Sequence, residues 1–306
     1  MSAPGADSRA GTRGDAWVRA MPAVFVLIWS TGFVVARLGM PHAPPFGFLA
    51  WRYALSVLLF LAWVAVSKAA WPQGRAQWGH LAVTGVLMHA GYLGGVWAAV
   101  KGGLGAGTAA LIVGLQPLLT ALWVSFQGPG HRVGARQWLG LVLGLAGLLL
   151  VVLHRLGSGQ ATILNVVLAV AALGSITAGT LYQKGRVAPC DVRTAAVVQL
   201  LAAFAVTAPL ALLETEAIVW HRDLQLAMAW SVVALTLGGS SLLYLLIQRG
   251  AATRVSSLMY LVPPCTAMLA WLMFDEPITA TVVAGMVLTA VGVGLVLHQA
   301  PSNPRR

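Results

Sequence analysis

The chain has 306 residues, 58% of them hydrophobic and 9% charged, with a formal charge of +11 and two cysteines. Soluble domains run near a quarter charged, so this composition excludes an ordinary water-solvated globule. Cys190 and Cys265 are too few for a disulfide framework, and no metal-ligand spacing surrounds them.

Taken in chain order, residues 1–19 are polar, rich in Gly, Ser, Asp and Arg, and predict a disordered cytoplasmic tail. The apolar run that follows lacks a small-residue cleavage site and reads as a first membrane span rather than a removed signal. Ten uncharged intervals then follow: 20–36, 53–67, 76–100, 102–131, 137–154, 156–183, 194–213, 224–248, 255–274 and 277–304. A bilayer core takes about 20 apolar residues per helix. The second interval reaches that length with the residues around Arg52. No run of about ten residues alternates in polarity, as a β-barrel would require. The expectation is an all-α membrane protein of ten transmembrane helices, ending in a short cytoplasmic tail over 299–306.

The basic charge is distributed by side. With the N-terminus placed in the cytoplasm, ten crossings put 14 of the 19 Lys and Arg residues on the cytoplasmic side, and five of the eight acids on the far side. This is the positive-inside pattern for both termini cytoplasmic. The charge therefore encodes orientation, and no nucleic-acid partner is expected.

Compared with itself at an offset of 147, the chain sets Gly32 on Gly179, Arg37 on Lys184, Arg52 on Gln199, Lys101 on Gln248, Gly103 on Gly250 and Pro117 on Pro264. At 145, GLVLGLAGLLLVV (140–152) falls on GMVLTAVGVGLVL (285–297). The two repeats, 20–155 and 160–298, each hold five expected spans. An odd number inverts the second repeat in the membrane, the construction of many secondary transporters, whose substrate site lies near the midplane between the repeats.

WSTGFVVAR in the first span, FLAWRYAL in the second, LQPLLTALW in the fourth and LVPPCTAMLAWLMFDEP in the ninth together resemble the EamA family of the drug/metabolite transporter superfamily. The resemblance covers roughly residues 20–298 and rests on the order of the motifs in a ten-helix frame. It implies an inner-membrane carrier, with helices one, three, four, six, eight and nine lining a central cavity and amino acids or related metabolites as exported solutes. One departure stands out. Where the resembled family often places an acid after the fourth helix, this chain has QGPGHR at 127–132.

Two residues raise a question of depth. Arg52 sits roughly 10 Å below the far surface, counted at about 1.5 Å per residue from Pro45. It either snorkels to the headgroups or faces the cavity as partner for a substrate carboxylate. Gln199 is its polar match in the other repeat. His89 falls at the midpoint of its interval, where a titratable group is a functional candidate by default, and Tyr92 shares its face. The alternative is a neutral histidine bonded to a neighbouring helix.

Polar stripes supply the other substrate-site candidates. Gln116 stands in the fourth helix with Thr108 and Thr120, Tyr182 in the sixth with Ser175, and Ser240 and Tyr244 in the eighth with Thr236. Tyr260 in the ninth and Trp29 in the first complete the set. Hydroxyls in membrane helices often bond their own backbone, so a stripe can equally be packing. Trp51, Trp63, Trp71 and Trp78 read as interfacial belt. Pro117, Pro263 and Pro264 are candidate hinges or static kinks.

No Asp or Glu lies deep in any expected span. Either His89 couples transport to protons, or the carrier is a facilitator, which the missing carboxylate favours. The expectation is an exporter of small metabolites working by alternating access in the inner membrane. Its partners would be a small-molecule substrate and the lipid bilayer, with no cofactor or metal, as a monomer or weak dimer. A channel or sensor is the rival. An intramembrane enzyme lacks a nucleophile–base set, a metal motif and a carboxylate pair.

Overall fold

The computed structural model describes residues 8–125, 134–239, 242 and 259–297, and among them no strand is present. The QGPGHR segment, the loop at Arg132 and the candidates Ser240 and Tyr244 lie outside the described residues.

Helix α1 (Ser8–Gly39) begins inside the expected disordered tail, so residues from Ser8 onward are helical. Helix α2 (Pro45–Ser67) opens with proline at its first position, where the missing N–H has no helical partner to lose. It ends at Lys68 in the left-handed conformation, φ 49°. Helices α3 (Arg75–Gly85) and α4 (Tyr92–Lys101) are joined by a π-helical segment, Val86–Gly91, into one rod.

The expected fourth span is divided into α5 (Ala106–Val113) and α6 (Gln116–Ser125). The break falls just ahead of Pro117, whose ring excludes the carbonyl it would meet in a continuous helix. Helices α7 (Ala135–Gly157), α8 (Ile163–Arg186) and α9 (Val192–Leu213) follow. A reciprocal cap between Thr162 and Asn165 starts α8. Asp191 starts α9 by accepting from the Arg193 N–H at 2.9 Å, and the Arg193 guanidinium beside it holds this carboxyl below the usual carboxylate range.

Helix α10 (Arg222–Trp230) continues into a second π-helical segment, Ser231–Gly239. A 3-10 turn (Met259–Leu261) leads into α11 (Val262–Phe274), and α12 (Ala280–Leu297) closes the described chain. Pro263 sits in the first turn of α11, again where a proline is tolerated.

Six helical stretches are long and apolar enough to cross a bilayer: Pro45–Ser67, Arg75–Lys101, Ala106–Trp123, Ala135–Gly157, Ile163–Arg186 and Val192–Leu213. Three shorter apolar helices, Ala23–Gly39, Val262–Phe274 and Ala280–Val296, accompany them. Large apolar side chains crowd the exterior, among them Leu58, Leu153, Ile163, Leu164, Leu212 and Leu272. An outer surface this apolar is what lipid, rather than water, leaves in place. Trp51, Trp63, Trp71 and Trp78 are all part-exposed on it, and the Trp71 and Trp78 rings stack 5.7 Å apart.

Glycines set the closest helix pair. A Cβ on Gly140 would lie 2.5 Å from the Gly292 carbonyl oxygen, and one on Gly147 would lie 2.5 Å from that of Gly285. Only hydrogen allows such backbone approach. The pairing order also shows that α7 and α12 run antiparallel. The interior hydroxyls largely turn on their own helices: Ser30 donates to the Val26 carbonyl, Thr177 to Leu173, Thr180 to Ile176 and Thr207 to Ala203. These hydroxyls serve packing.

Candidate functional site

A cavity of about 120 Å3 lies between α1, α2, the α3–α4 rod, α8 and the second π segment. Of the residues singled out from sequence, Trp29, Arg52, His89, Tyr92 and Thr236 line it. Arg52 is only 7% exposed. Its Nε and Nη2 donate to Thr236 Oγ1 at 3.4 and 3.2 Å, and its guanidinium carbon lies 6.0 Å from the Trp97 ring centre. The side chain thus turns into the protein, which removes the snorkelling alternative. Among the described residues no carboxylate comes within ion-pairing distance of it.

His89 belongs to the first π segment. A π turn widens the helix and redirects carbonyls that neighbouring side chains then satisfy, a feature frequent at functional sites. Here the Tyr53 hydroxyl donates to the His89 carbonyl at 2.9 Å and Ser175 Oγ to the Leu87 carbonyl at 2.8 Å. In the second π segment Thr236 Oγ1 donates to the Ser231 carbonyl at 2.8 Å. The Gln199 backbone of α9 packs on Gly85, one turn before His89.

These contacts are reciprocal. Gln199 stands 147 positions after Arg52, and Thr236 stands 147 positions after His89. Arg52 meets Thr236, and α9, which carries Gln199, packs on the π segment that carries His89, so each half supplies the opposite member. A second reciprocal pair surrounds it: Gly32 faces Leu235, and Gly179 faces Met88.

The remaining candidates are placed elsewhere. Gln116 Nε2 donates to Thr180 Oγ1 at 2.9 Å, and the Tyr182 hydroxyl meets His80 Nδ1 at 2.8 Å. Neither is a cavity-lining residue. The Tyr260 side chain lies outside the described residues. Trp97 and Phe33 line the cavity although the sequence did not mark them, and Thr236 of the eighth-helix stripe lines it as well. The offset of 147 from His89 also points to Thr236; nothing in its local sequence marks Trp97 among 12 tryptophans.

Carboxylates instead tie helix ends together. Glu214 accepts from the N–H groups of Phe46 and Gly47 at 3.0 and 2.8 Å, capping α2. Glu276 accepts from the Ala106 N–H at 3.0 Å and lies 4.0 Å from Arg37. Lys101 pairs with Glu216 at 2.5 Å and donates to the Met40 carbonyl at 2.8 Å. Near them His42, His221 and Asp223 bring donor atoms within 4.8 Å of one another. His221 Nδ1 is engaged there as acceptor for the Asp223 N–H at 3.2 Å, starting α10. Three donors are one short of a closed structural zinc set.

A multi-pass helical protein with a mostly apolar cavity at the join of its two halves, holding one buried cation, has the form of a membrane transporter. The model of the EamA-like transporter family matches residues 17–153 and 162–298, and the chain belongs to that family. It is 24% identical over 276 residues to a Bacillus subtilis protein described as the uncharacterized transporter YvbV, covering 90% of this chain and 89% of that one. It is 25% identical over 281 residues to an Escherichia coli protein described as a probable amino-acid metabolite efflux pump, covering 88% and 90%. A solved crystal structure superimposes with a TM-score of 0.64 at 20% identity, covering 92% of this chain and 96% of that one, which bears on the fold alone.

Proposed function

We propose that the protein is an inner-membrane exporter of small metabolites, amino acids or related compounds, working by alternating access between two inverted five-helix repeats. The observation that carries this reading is Arg52: a buried cation on a cavity wall, held by a hydroxyl and facing no carboxylate among the described residues. Burying a charge without a partner is costly, so such a group persists where a ligand completes it. The printed description of the Escherichia coli relative supports the solute class.

Support for the inverted repeat comes from the reciprocal pairs. Under a two-fold relation, a contact between position i of the first half and position j of the second must recur with the halves exchanged. Gly32–Leu235 with Gly179–Met88, and Gly140–Gly292 with Gly147–Gly285, both have this form. With both termini cytoplasmic, the ion pairs Arg37–Glu276 and Lys101–Glu216 lie on the outer side and must part as the cavity turns outward. Pro117, Pro263 and Pro264, at the starts of α6 and α11, are where the helices can bend.

Efflux from cells with and without the gene, across a panel of amino-acid-related metabolites, tests the reading. The expected result is gene-dependent efflux of at least one solute that saturates with its internal concentration. Efflux that rises without saturation would indicate a channel instead, and no gene-dependent efflux of any solute would overturn the proposal.

A further inference from the structure

We infer that the cavity selects anionic carboxylates with an apolar or aromatic body and no free ammonium group. This rests on the reading of the cavity as the substrate site and specifies which amino-acid-related compounds it takes.

The wall offers a cation and, among the described residues, no anion. Arg52 commits Nε and Nη2 to Thr236, which leaves the N–H groups of Nη1 for a ligand. Trp97 lines the same cavity as an apolar face. Guanidinium N–H groups left free in a largely apolar wall are a partner for a carboxylate. Trp29, Phe33, Leu93, Ile176 and Leu235 supply the apolar remainder.

An ammonium finds no carboxylate. The chain has eight acids. Glu214, Glu216 and Glu276 are engaged at helix ends, Asp191 pairs with Arg193, and Asp223 sits beside His42 and His221. Asp275 ends α11, while Asp7 and Asp15 precede the first apolar run. The cavity-lining residues include no acid, and the segments between 239 and 259 contain none in their sequence. The carbonyls turned out by the two π segments, at Leu87, His89 and Ser231, already accept from Ser175, Tyr53 and Thr236. The Trp97 face, which could hold a cation, is occupied by Arg52. A zwitterion entering this site would bring its ammonium up to a guanidinium with no counter-charge.

Three probes on one skeleton separate these demands: phenylacetate, its amide, and phenylglycine, which adds the ammonium. Binding to the full-length protein in detergent is read by tryptophan fluorescence, and uptake by proteoliposomes. Phenylacetate should bind about 10- to 100-fold more tightly than either of the others, the size of a charge-assisted hydrogen bond converted to a ratio. Arg52→Gln should erase the advantage over the amide and Arg52→Lys should keep part of it. The comparison on the unaltered protein decides the matter even if a variant fails to fold. Phenylglycine binding as well as phenylacetate, acid and amide binding alike, or no binding of any probe would each overturn the inference. The first two results leave the transporter reading standing, and saturable efflux in the metabolite panel judges that reading separately.

Discussion

The guanidinium of Arg52 and the hydroxyl of Thr236, 184 residues apart, meet at 3.2 Å, and the Thr236 hydroxyl donates a hydrogen bond to the Ser231 carbonyl. One hydroxyl thus anchors a buried cation and satisfies a carbonyl that the π segment exposes. Thr236→Val preserves shape and removes all three of its hydrogen bonds, with an expected loss of about 1–3 kcal/mol. Thr236→Ser should recover most of it. Thermal unfolding of the purified protein measures this, and equal losses for Val and Ser would show that the hydroxyl contributes nothing.

The α7–α12 contact should be intolerant of one methyl group. Gly147→Ala places a carbon 2.5 Å from the Gly285 carbonyl oxygen, and rigid backbone on both sides leaves no side chain to yield. Overpacking of this kind costs about 1–3 kcal/mol. Gly174 of α8 has nothing within 4 Å of its added Cβ. Gly174→Ala should be neutral or stabilise by up to about 1 kcal/mol through helix propensity. Similar melting temperatures for the two variants would contradict the packing argument.

Orientation is open to cysteine labelling. Cys190, in the loop between α8 and α9, should react with an impermeant thiol reagent only from the cytoplasmic side of membrane vesicles. Val219, 59% exposed ahead of α10, should react from outside once changed to cysteine in a Cys190→Ser, Cys265→Ser background. The opposite pattern would invert the proposed topology.

Coupling follows from which groups face the cavity. With no carboxylate lining it, a substrate gradient alone should drive flux, and collapsing a proton gradient should leave initial rates unchanged. His89→Gln retains a hydrogen-bonding side chain while removing titration. Uphill accumulation driven by an imposed pH step, lost in His89→Gln, would make His89 the coupling group and refute facilitation.

Asp191 gives a pH dependence of known sign. Its carboxyl titrates below the ordinary range because of Arg193, so its stabilising contribution is complete above the unfolded value of about 3.9 and disappears as pH falls through the folded one. At neutral pH Asp191→Asn should cost no more than about 1 kcal/mol, as expected for a surface pair. The gap between variant and parent should close on acidification. A gap that widens at low pH would reverse the assignment.

Much of the architecture is written in local sequence. The lengths of uncharged runs, the side on which Lys and Arg gather, and the glycine spacing of 140–152 and 285–297 are properties of short segments, and each constrains a helix on its own. His89 and Tyr92 could be proposed for the same reason, since depth within a span can be counted along the chain. Which way Arg52 turns could not. Snorkelling and burial use the same residue on the same helix, and the choice depends on Thr236 and Trp97 arriving from other helices. The two π segments were equally hidden, because widening a turn is stabilised by hydroxyls of Tyr53 and Ser175 that lie outside the segment containing His89. Local sequence thus carries a membrane-spanning, two-part helical chain with one arginine set below the surface. That this arginine looks into a cavity comes from the packing of distant helices, because burial of a charge does not depend on the polarity of its neighbours in sequence.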